Sequence, residues 1–347
     1  MLRIARRAAV FAVGISVSLI AVVPAVAAVA PEHVLGGKVT DEGLGYVNAQ
    51  FITWTGNSKA HPRHYDAFAQ LLSGGSPVRL NAHRTEGFPG GFDPGTNTVI
   101  YDQQPRGDSD IYLYDLDTQE RMRAPDINSR KWEWGAEIST SYILFNRTFK
   151  RHRKWHTSLM LYDRTSQMLT TLNTWGAKPF TPTGSIGEAT ASWSVCGERG
   201  CHAFLYDIAG RTTRRIPTSS RHMEYAPVVD ETNRDVYYTS SGRKCGQRVG
   251  IWRLPIDDFS VVPTQIVDLP DGIDTDWVTT LAPNVVVPSS NDVIFGRWRC
   301  RPSEGDIYAA RDATSVPDAS ATGATQRAGG RHEVFDGSRR PDKRQPR

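Results

Sequence analysis

Four cysteines in 347 residues, Cys196, Cys201, Cys245 and Cys300, leave no C-x2-C pair, the spacing on which a thiolate metal site is built. The chain also has no G-x-S-x-G elbow, no H-E-x-x-H helix, no Gly-rich phosphate loop and no sialidase-type Asp box. Each of these fixes a nucleophile, a metal or a phosphate at a set place on the backbone. The hydrolase, metallopeptidase and nucleotide-dependent classes therefore lose their usual signatures. Beyond residue 30 there is no apolar run long enough to cross a bilayer. A net charge of +4 by itself says little about partners.

The two ends differ in composition from the rest. Arg3, Arg6 and Arg7 precede an apolar stretch from Ala8 to Val23 and the small residues Ala25, Val26 and Ala27, the pattern of a secretory signal. Cleavage after Ala27 is expected, because cutting after Ala30 would place Pro31 next. An uncleaved anchor is the alternative, opposed by Pro24 and the A-x-A pattern. At the other end, residues 312–347 are poor in apolar side chains and finish in a basic run, GSRRPDKRQPR, so a disordered basic tail is expected. These ends imply a secreted, cell-surface or periplasmic protein that is not integral to the membrane. An even cysteine count in an exported chain reads as two disulfides. Three pairings are formally open. The one with the simplest geometry joins Cys196 to Cys201 across one hairpin and leaves Cys245 with Cys300.

Between the ends the chain repeats itself. Thr98 to Leu116, TVIYDQQPRGDSDIYLYDL, is two strands of alternating apolar residues around a Pro/Gly/Asp-rich connection, a hairpin signature. The same pattern recurs from Tyr142, Thr190, Asp235 and Asp292, with a weaker copy from Phe51. One aromatic marks each copy: Trp54, Tyr101, Phe145, Trp193, Tyr238 and Phe295, at spacings of 47, 44, 48, 45 and 57 residues. A period of this size means propeller blades or a solenoid. Short outer segments such as PVRLN, QERMR, MLTTL and TTRRI add a fourth strand to each copy. The fold expected is therefore all-β: six four-stranded antiparallel blades over residues 28–311, one domain. With strands lettered A to D outward from the axis, the aromatic lies on B. The Asp ending each C strand, Asp115, Asp163 or Asp207, should open the next turn by accepting backbone amides. His33 to Thr40 is expected to close the ring beside Asp306 to Arg311, with Ala313 to Ala319 as the competing segment.

The turns GGFDPGTNTVIYD (Gly90 to Asp102) and APVVDETNRDVYYTS (Ala226 to Ser240), and the following DIYLYDLDTQERMR (Asp110 to Arg123), resemble the repeat of TolB-like six-bladed propellers. The resemblance runs from about Val34 to Arg311, although the Pro-x-Trp-Ser-Pro-Asp-Gly turn of that family is degenerate throughout. It implies a binding scaffold, as in TolB, or a gating domain, as in dipeptidyl peptidase IV-like enzymes, whose hydrolase domain has no counterpart here. A related propeller, oligogalacturonate lyase, holds a metal with histidines. His61/His64, His152/His156, His83, His202 and His222 lie in connections expected on one face. Exposed loop histidines are common, and no metal ligand is assigned.

Two sets of charges follow from the topology. D-to-A connections carry acids at the start of the innermost strand, Glu42, Glu86, Glu133, Glu224 and Asp276, while the fourth copy has Lys178, Pro179 and Phe180. These acids should line the channel mouth. Arg84, Arg130 and Arg221 nearby offer them structural partners, and a divalent cation or a peptide's amino end is the functional alternative. B-to-C connections carry bases: Lys150, Arg151, Arg153, Lys154, Arg243, Lys244, Arg248, Arg297, Arg299 and Arg301, with Lys59, Arg63, Arg106 and Arg199 in the other copies. Like charges gathered on one rim sum their fields. The function expected is a monomeric, non-catalytic binding module, needing no cofactor. It would present a basic rim to an anionic envelope polymer, a polysaccharide or a protein or peptide, without specific nucleic-acid recognition. The alternative is a carbohydrate-active enzyme, lyase or hydrolase, working on the same face.

Overall fold

The computed structural model describes residues 32–33, 42–58, 61–104, 108–124, 126–176, 183–197, 200–217, 222–242, 247–269, 273–274, 278–283, 291–299 and 305–310. Twenty-five strands make up the described elements. After β1 (Glu32–His33) comes a first sheet of β2 (Glu42–Val47), β3 (Phe51–Ser58), β4 (His61–Leu71) and β5 (Val78–Arg79). The second holds β6 (Glu86–Phe92), β7 (Thr98–Gln104), β8 (Asp110–Asp115) and β9 (Glu120–Arg123), and the third β10 (Trp132–Ile138), β11 (Tyr142–Arg151), β12 (Lys154–Asp163) and β13 (Met168–Gly176). The fourth is β14 (Thr183–Ile186), β15 (Thr190–Gly197), β16 (Gly200–Asp207) and β17 (Thr212–Arg215). The fifth is β18 (His222–Asp230), β19 (Asp235–Gly242), β20 (Gly250–Pro255) and β21 (Thr264–Asp268). Each of these five is antiparallel and keeps chain order, the A-to-D layout of a propeller blade.

The expectation of six such blades is corrected: five four-stranded blades form. The last copy enters a sheet built differently, from β22 (Ile273–Asp274), β23 (Val278–Pro283), β24 (Asn291–Arg299), β25 (Gly305–Ala310) and β1. Two short strands share its inner position, β22 opposite Arg299 and Trp298, β23 opposite Asn291 to Phe295. Its outer edge comes from the N-terminal side, with Glu32 opposite Ala309 and His33 opposite Tyr308. The long 57-residue spacing before Phe295 is the sequence trace of that split. This sheet lies between the fifth and the first, β23 against β18 and β24 against β2. Residues 1–27, 34–41 and 311–347 lie outside the described residues.

Each B strand of the five blades is buried on both faces, so neighbouring residues feed different cores. On β7, Val99 and Tyr101 pack with Ala67, Ala69 and Leu80 of the first sheet. Ile100 between them packs with Ala136 and Phe145 of the third. On β11 the alternation repeats, Phe145 toward the second sheet and Leu144 toward Trp193 of the fourth. Burying one such side chain is worth about 1.5–3 kcal/mol, and the doubled faces explain why the strands read as continuous apolar runs rather than alternations. Outer strands β9 and β17 are exposed throughout.

Inner strands approach one another closely and all five carry a register shift near mid-strand. Glycine is required where they meet: a Cβ on Gly90 would stand 1.9 Å from the Ala136 carbonyl oxygen, and one on Gly184 2.1 Å from that of Pro227. The C-to-D turns form as their aspartates imply. Asp115 accepts the amides of Asp117 and Thr118 (2.8 and 3.0 Å), and Asp163 those of Thr165 and Ser166 (2.9 and 3.0 Å). These amides hold both carboxyls below their ordinary value.

Candidate binding face

On the face of the A-to-B turns, polar side chains join neighbouring blades. Asn48 donates to Asn97 (3.2 Å), Arg164 to both oxygens of Asp93 (2.8 and 2.7 Å), and the Ser141 amide to Glu188 (3.3 Å). Glu231 accepts the amides of Glu188, Ala189 and Thr190 (2.8, 2.7 and 2.8 Å). All four junctions from the first blade to the fifth are clamped in this way.

The opposite face carries the B-to-C hairpins, and the third blade reaches furthest in described structure. Strands β11 and β12 pair over ten registered positions, ending at Arg151 opposite Lys154. Lys150, Arg151, His152, Arg153 and Lys154 are all exposed. His152 and Arg153 form the two-residue turn with φ of 51° and 61°, the doubly left-handed geometry that Asn-Gly normally fills. Aromatic rings back these charges. The Lys150 ammonium sits 4.5 Å from the Trp155 ring centre, Trp155 lies 5.0 Å from Trp132, and Lys131 is 4.7 Å from Phe149. Among the described residues no acid pairs with the four hairpin bases. Arg248, on the fifth blade, is exposed as well. Arg297 and Arg299 alternate with Trp298 along β24, while Arg243, Lys244 and Arg301 lie outside the described residues. The structure thus brings together Lys150, Arg151, Arg153 and Lys154, and describes less of the remaining rim.

The channel-mouth acids divide. Glu133 is fully buried and satisfied: it accepts from Arg147 Nε (2.7 Å), Ser129 Oγ (2.6 Å) and the Ser129 amide (3.2 Å). Its partner is Arg147, two residues past the aromatic of its own blade, rather than nearby Arg130. Glu224 occupies the same register, opposite Ser240, two residues past Tyr238. It is 2% exposed and its Oε2 has no hydrogen-bond partner. Burial pushes its carboxyl up to about 8, against the pull of Arg215. Glu42 shares this register opposite Gly56. Glu86 does not: it stands opposite Gln104, three residues past Tyr101, on the other face of its sheet. There desolvation raises its carboxyl, opposed by His64. Asp276 lies outside the described residues.

Sequence reasoning missed a second set of acids. Glu137, on β10, accepts a hydrogen bond from the hydroxyl of Tyr46 on β2, linking the third blade to the first. Asp102, on β7, accepts the amide of Gly135 at 3.2 Å, linking the second blade to the third. Burial raises Asp102 to about 7 and Glu137 to about 8. The signal for Asp102 was an acid directly after the apolar run VIY of a B strand, and Glu137 on the inner strand β10 carried none.

Among the described residues the histidines do not converge. His156 stacks on Phe149 at 5.7 Å, His202 meets Arg215 at 2.7 Å, His222 bonds Ser240 at 3.1 Å and His64 lies 3.4 Å from Asp66. Among the described residues no three of His, Cys, Asp and Glu are grouped as metal ligands. Cys196 and Cys201 form a disulfide across the β15–β16 hairpin. Cys245 and Cys300 lie outside the described residues. No helix among the described residues is long and apolar enough to cross a membrane.

These features define an all-β propeller with four-stranded antiparallel blades and a face of unshared charges. Its solved neighbours are TolB-like propellers. TolB from Acinetobacter baumannii superposes with a TM-score of 0.51 at 12% identity over 75% of this chain, which spans 63% of that protein. A TolB candidate from Agrobacterium tumefaciens gives 0.51 at 11% over 78% of this chain and 90% of its own. An oligogalacturonate lyase in complex with manganese gives 0.50 at 11%, covering 81% and 91%. At such identities the likeness is one of fold. No family model matches the chain, and no curated protein does.

Proposed function

We propose that this protein is an exported, non-catalytic binding propeller whose B-to-C face holds an anionic polymer. The observation that carries this reading is the β11–β12 hairpin, with four exposed bases, no acid paired to them among the described residues, and tryptophan and phenylalanine rings beneath. Cations backed by aromatic faces hold anionic groups while the rings offer stacking area. Residues 1–27 act as the export leader and 312–347 as a basic tail in this proposal. Arg243, Lys244, Arg248, Arg297, Arg299 and Arg301 extend the rim around the ring, and the channel mouth supplies an acidic centre.

Retention on heparin and polyphosphate resin at about 50 mM salt tests it, with elution as salt rises because counterion release weakens such binding steeply. Replacing Arg151, Arg153 and Lys154 with Ser should lower affinity several-fold without moving the thermal midpoint. Absence of retention of the wild type leaves the rim as a solvated surface only.

A further inference from the structure

The third blade contains a complete guanidinium site. The Arg147 side chain donates from Nε to Glu133 at 2.7 Å and from Nη2 to the Ile127 carbonyl at 2.6 Å, and its guanidinium lies 5.5 Å from the centre of the Phe145 ring. Carboxylate below, ring alongside and arginine between are set by register: Glu133 stands opposite Arg147, two residues past Phe145.

The fifth blade repeats that register with one component removed. Glu224 stands opposite Ser240, two residues past the buried ring of Tyr238. The carboxylate is there, 2% exposed with Oε2 unpartnered, and the aromatic is there. In the place of the arginine is a serine, whose Oγ meets His222 at 3.1 Å instead, and the charge that Arg215 of β17 in the fourth blade exerts on Glu224 comes without a hydrogen bond to Oε2. The next residue on the same face of β11 is Phe149. Its counterpart on β19 is the buried Gly242, whose amide donates to the Gln247 backbone oxygen at 2.6 Å. Exposed Gln247 fills the space a Cβ on Gly242 would take, with its backbone oxygen 2.8 Å, its side-chain oxygen 3.0 Å and its own Cβ 3.1 Å away, so a flexible glutamine carrying an acceptor oxygen covers the position that a phenyl ring covers in the third blade.

We infer that Glu224, Ser240 and Tyr238 form a binding site for a guanidinium group supplied from outside the chain, in the place Arg147 fills in the third blade. A buried carboxylate with a free oxygen is costly to leave unmatched, and a planar fork of N–H donors answers it better than an ammonium does. The site is separate from the basic hairpin. The two readings fail independently, because substitutions at Glu224 and Ser240 leave Lys150, Arg151, Arg153 and Lys154 intact.

Isothermal calorimetry and thermal shift with methylguanidinium, N-acetyl-arginine amide and methylammonium test the inference. Saturable binding of the two guanidinium probes is expected, at least tenfold tighter than methylammonium and tightening as pH rises from 6 to 9. Glu224→Gln should weaken it tenfold or more. Ser240→Arg should abolish it and raise the melting temperature by supplying the missing group internally. Tighter binding of N-acetyl-arginine amide marks an arginine side chain of a partner polypeptide as the ligand, and tighter binding of methylguanidinium marks a small free guanidine. Absence of saturable binding to the wild type overturns the inference. So does binding that survives Glu224→Gln or matches methylammonium. If Ser240→Arg fails to fold, the Glu224→Gln comparison and the probe ranking still decide.

Discussion

Blades three and five hold a glutamate at one register and treat it in opposite ways. Glu133 is wholly enclosed, and Arg147 and Ser129 supply its hydrogen bonds. Glu224, equally enclosed, keeps an unpartnered oxygen and a carboxyl raised to about 8. The backbone is the same in both: an antiparallel inner pair, a register shift just beyond the acid, an aromatic two residues down strand B. On strand B the difference is Arg147 against Ser240, and Ser129 adds two hydrogen bonds to Glu133. A repeated scaffold thus fixes where a charge sits, and the residues that face it decide whether it is structural or open.

Removing Arg147 from blade three is the severest test. Arg147→Ser takes the arginine from Glu133 and leaves it the hydrogen bonds of Ser129, and stripping one partner from a buried ion pair costs about 3–5 kcal/mol. Chemical denaturation at pH 7 should show a loss of that order. A loss under about 1 kcal/mol, the size of a surface pair, would mean that Glu133 needs no arginine and that the two blades treat their glutamates alike.

The second test is the pH dependence of blade five. The folded pKa of Glu224 is raised to about 8 from an ordinary value of 4.5. Between those values the unfolded chain is ionised and the folded chain stays protonated, so stability falls as pH rises through the window. The penalty is fully developed above the folded pKa. Each tenfold change in proton affinity corresponds to about 1.4 kcal/mol. Glu224→Gln should therefore match the wild type at pH 4.5 and exceed it by a few kcal/mol at pH 9. Asp102 and Glu137, raised by burial to about 7 and about 8, slope the same way and remain in the variant, so its curve flattens without becoming level. A variant no more stable than wild type at pH 9 would remove the claim that Glu224 is held against its ionisation.

Much of this is legible in the sequence because it is local. The apolar runs VIY and ILF announce β7 and β11, and Asp115, Asp163 and Asp207 announce the turns whose amides they accept. Cys196 and Cys201 announce their own bridge by facing each other across a short hairpin. What is not legible depends on relations between distant segments. The sixth copy looks regular because its B and C strands are, while its split inner position lies elsewhere in the chain; its outer edge is expected from the N-terminal side, and His33 does stand opposite Tyr308. The acids look like one ring because each opens an inner strand, and position along one strand does not reveal which residue stands opposite. Pairing puts Glu86 on the other face and leaves Glu133 and Glu224 in step. Arg147 carries no signal of its own, since its role exists only opposite Glu133.

The smallest expected effect sharpens the other half of the comparison, the exterior of blade three. Its arginine inside is committed to Glu133, whereas the bases at its tip have no described acid to neutralise them. The turn joining them is His152-Arg153, both left-handed, a conformation that costs about 1–2 kcal/mol per residue without the freedom of glycine. Replacing the pair with Asn-Gly removes most of that strain and one positive charge while leaving Arg151 opposite Lys154. Stability should then rise by about 1 kcal/mol, read as a higher midpoint in denaturant, while the elution salt on heparin falls modestly. Both movements are needed. A turn held in strain for binding gains stability and loses affinity together when relaxed, whereas a turn that is merely tolerated gains stability with retention unchanged. The second outcome would leave the tip of blade three as ordinary surface.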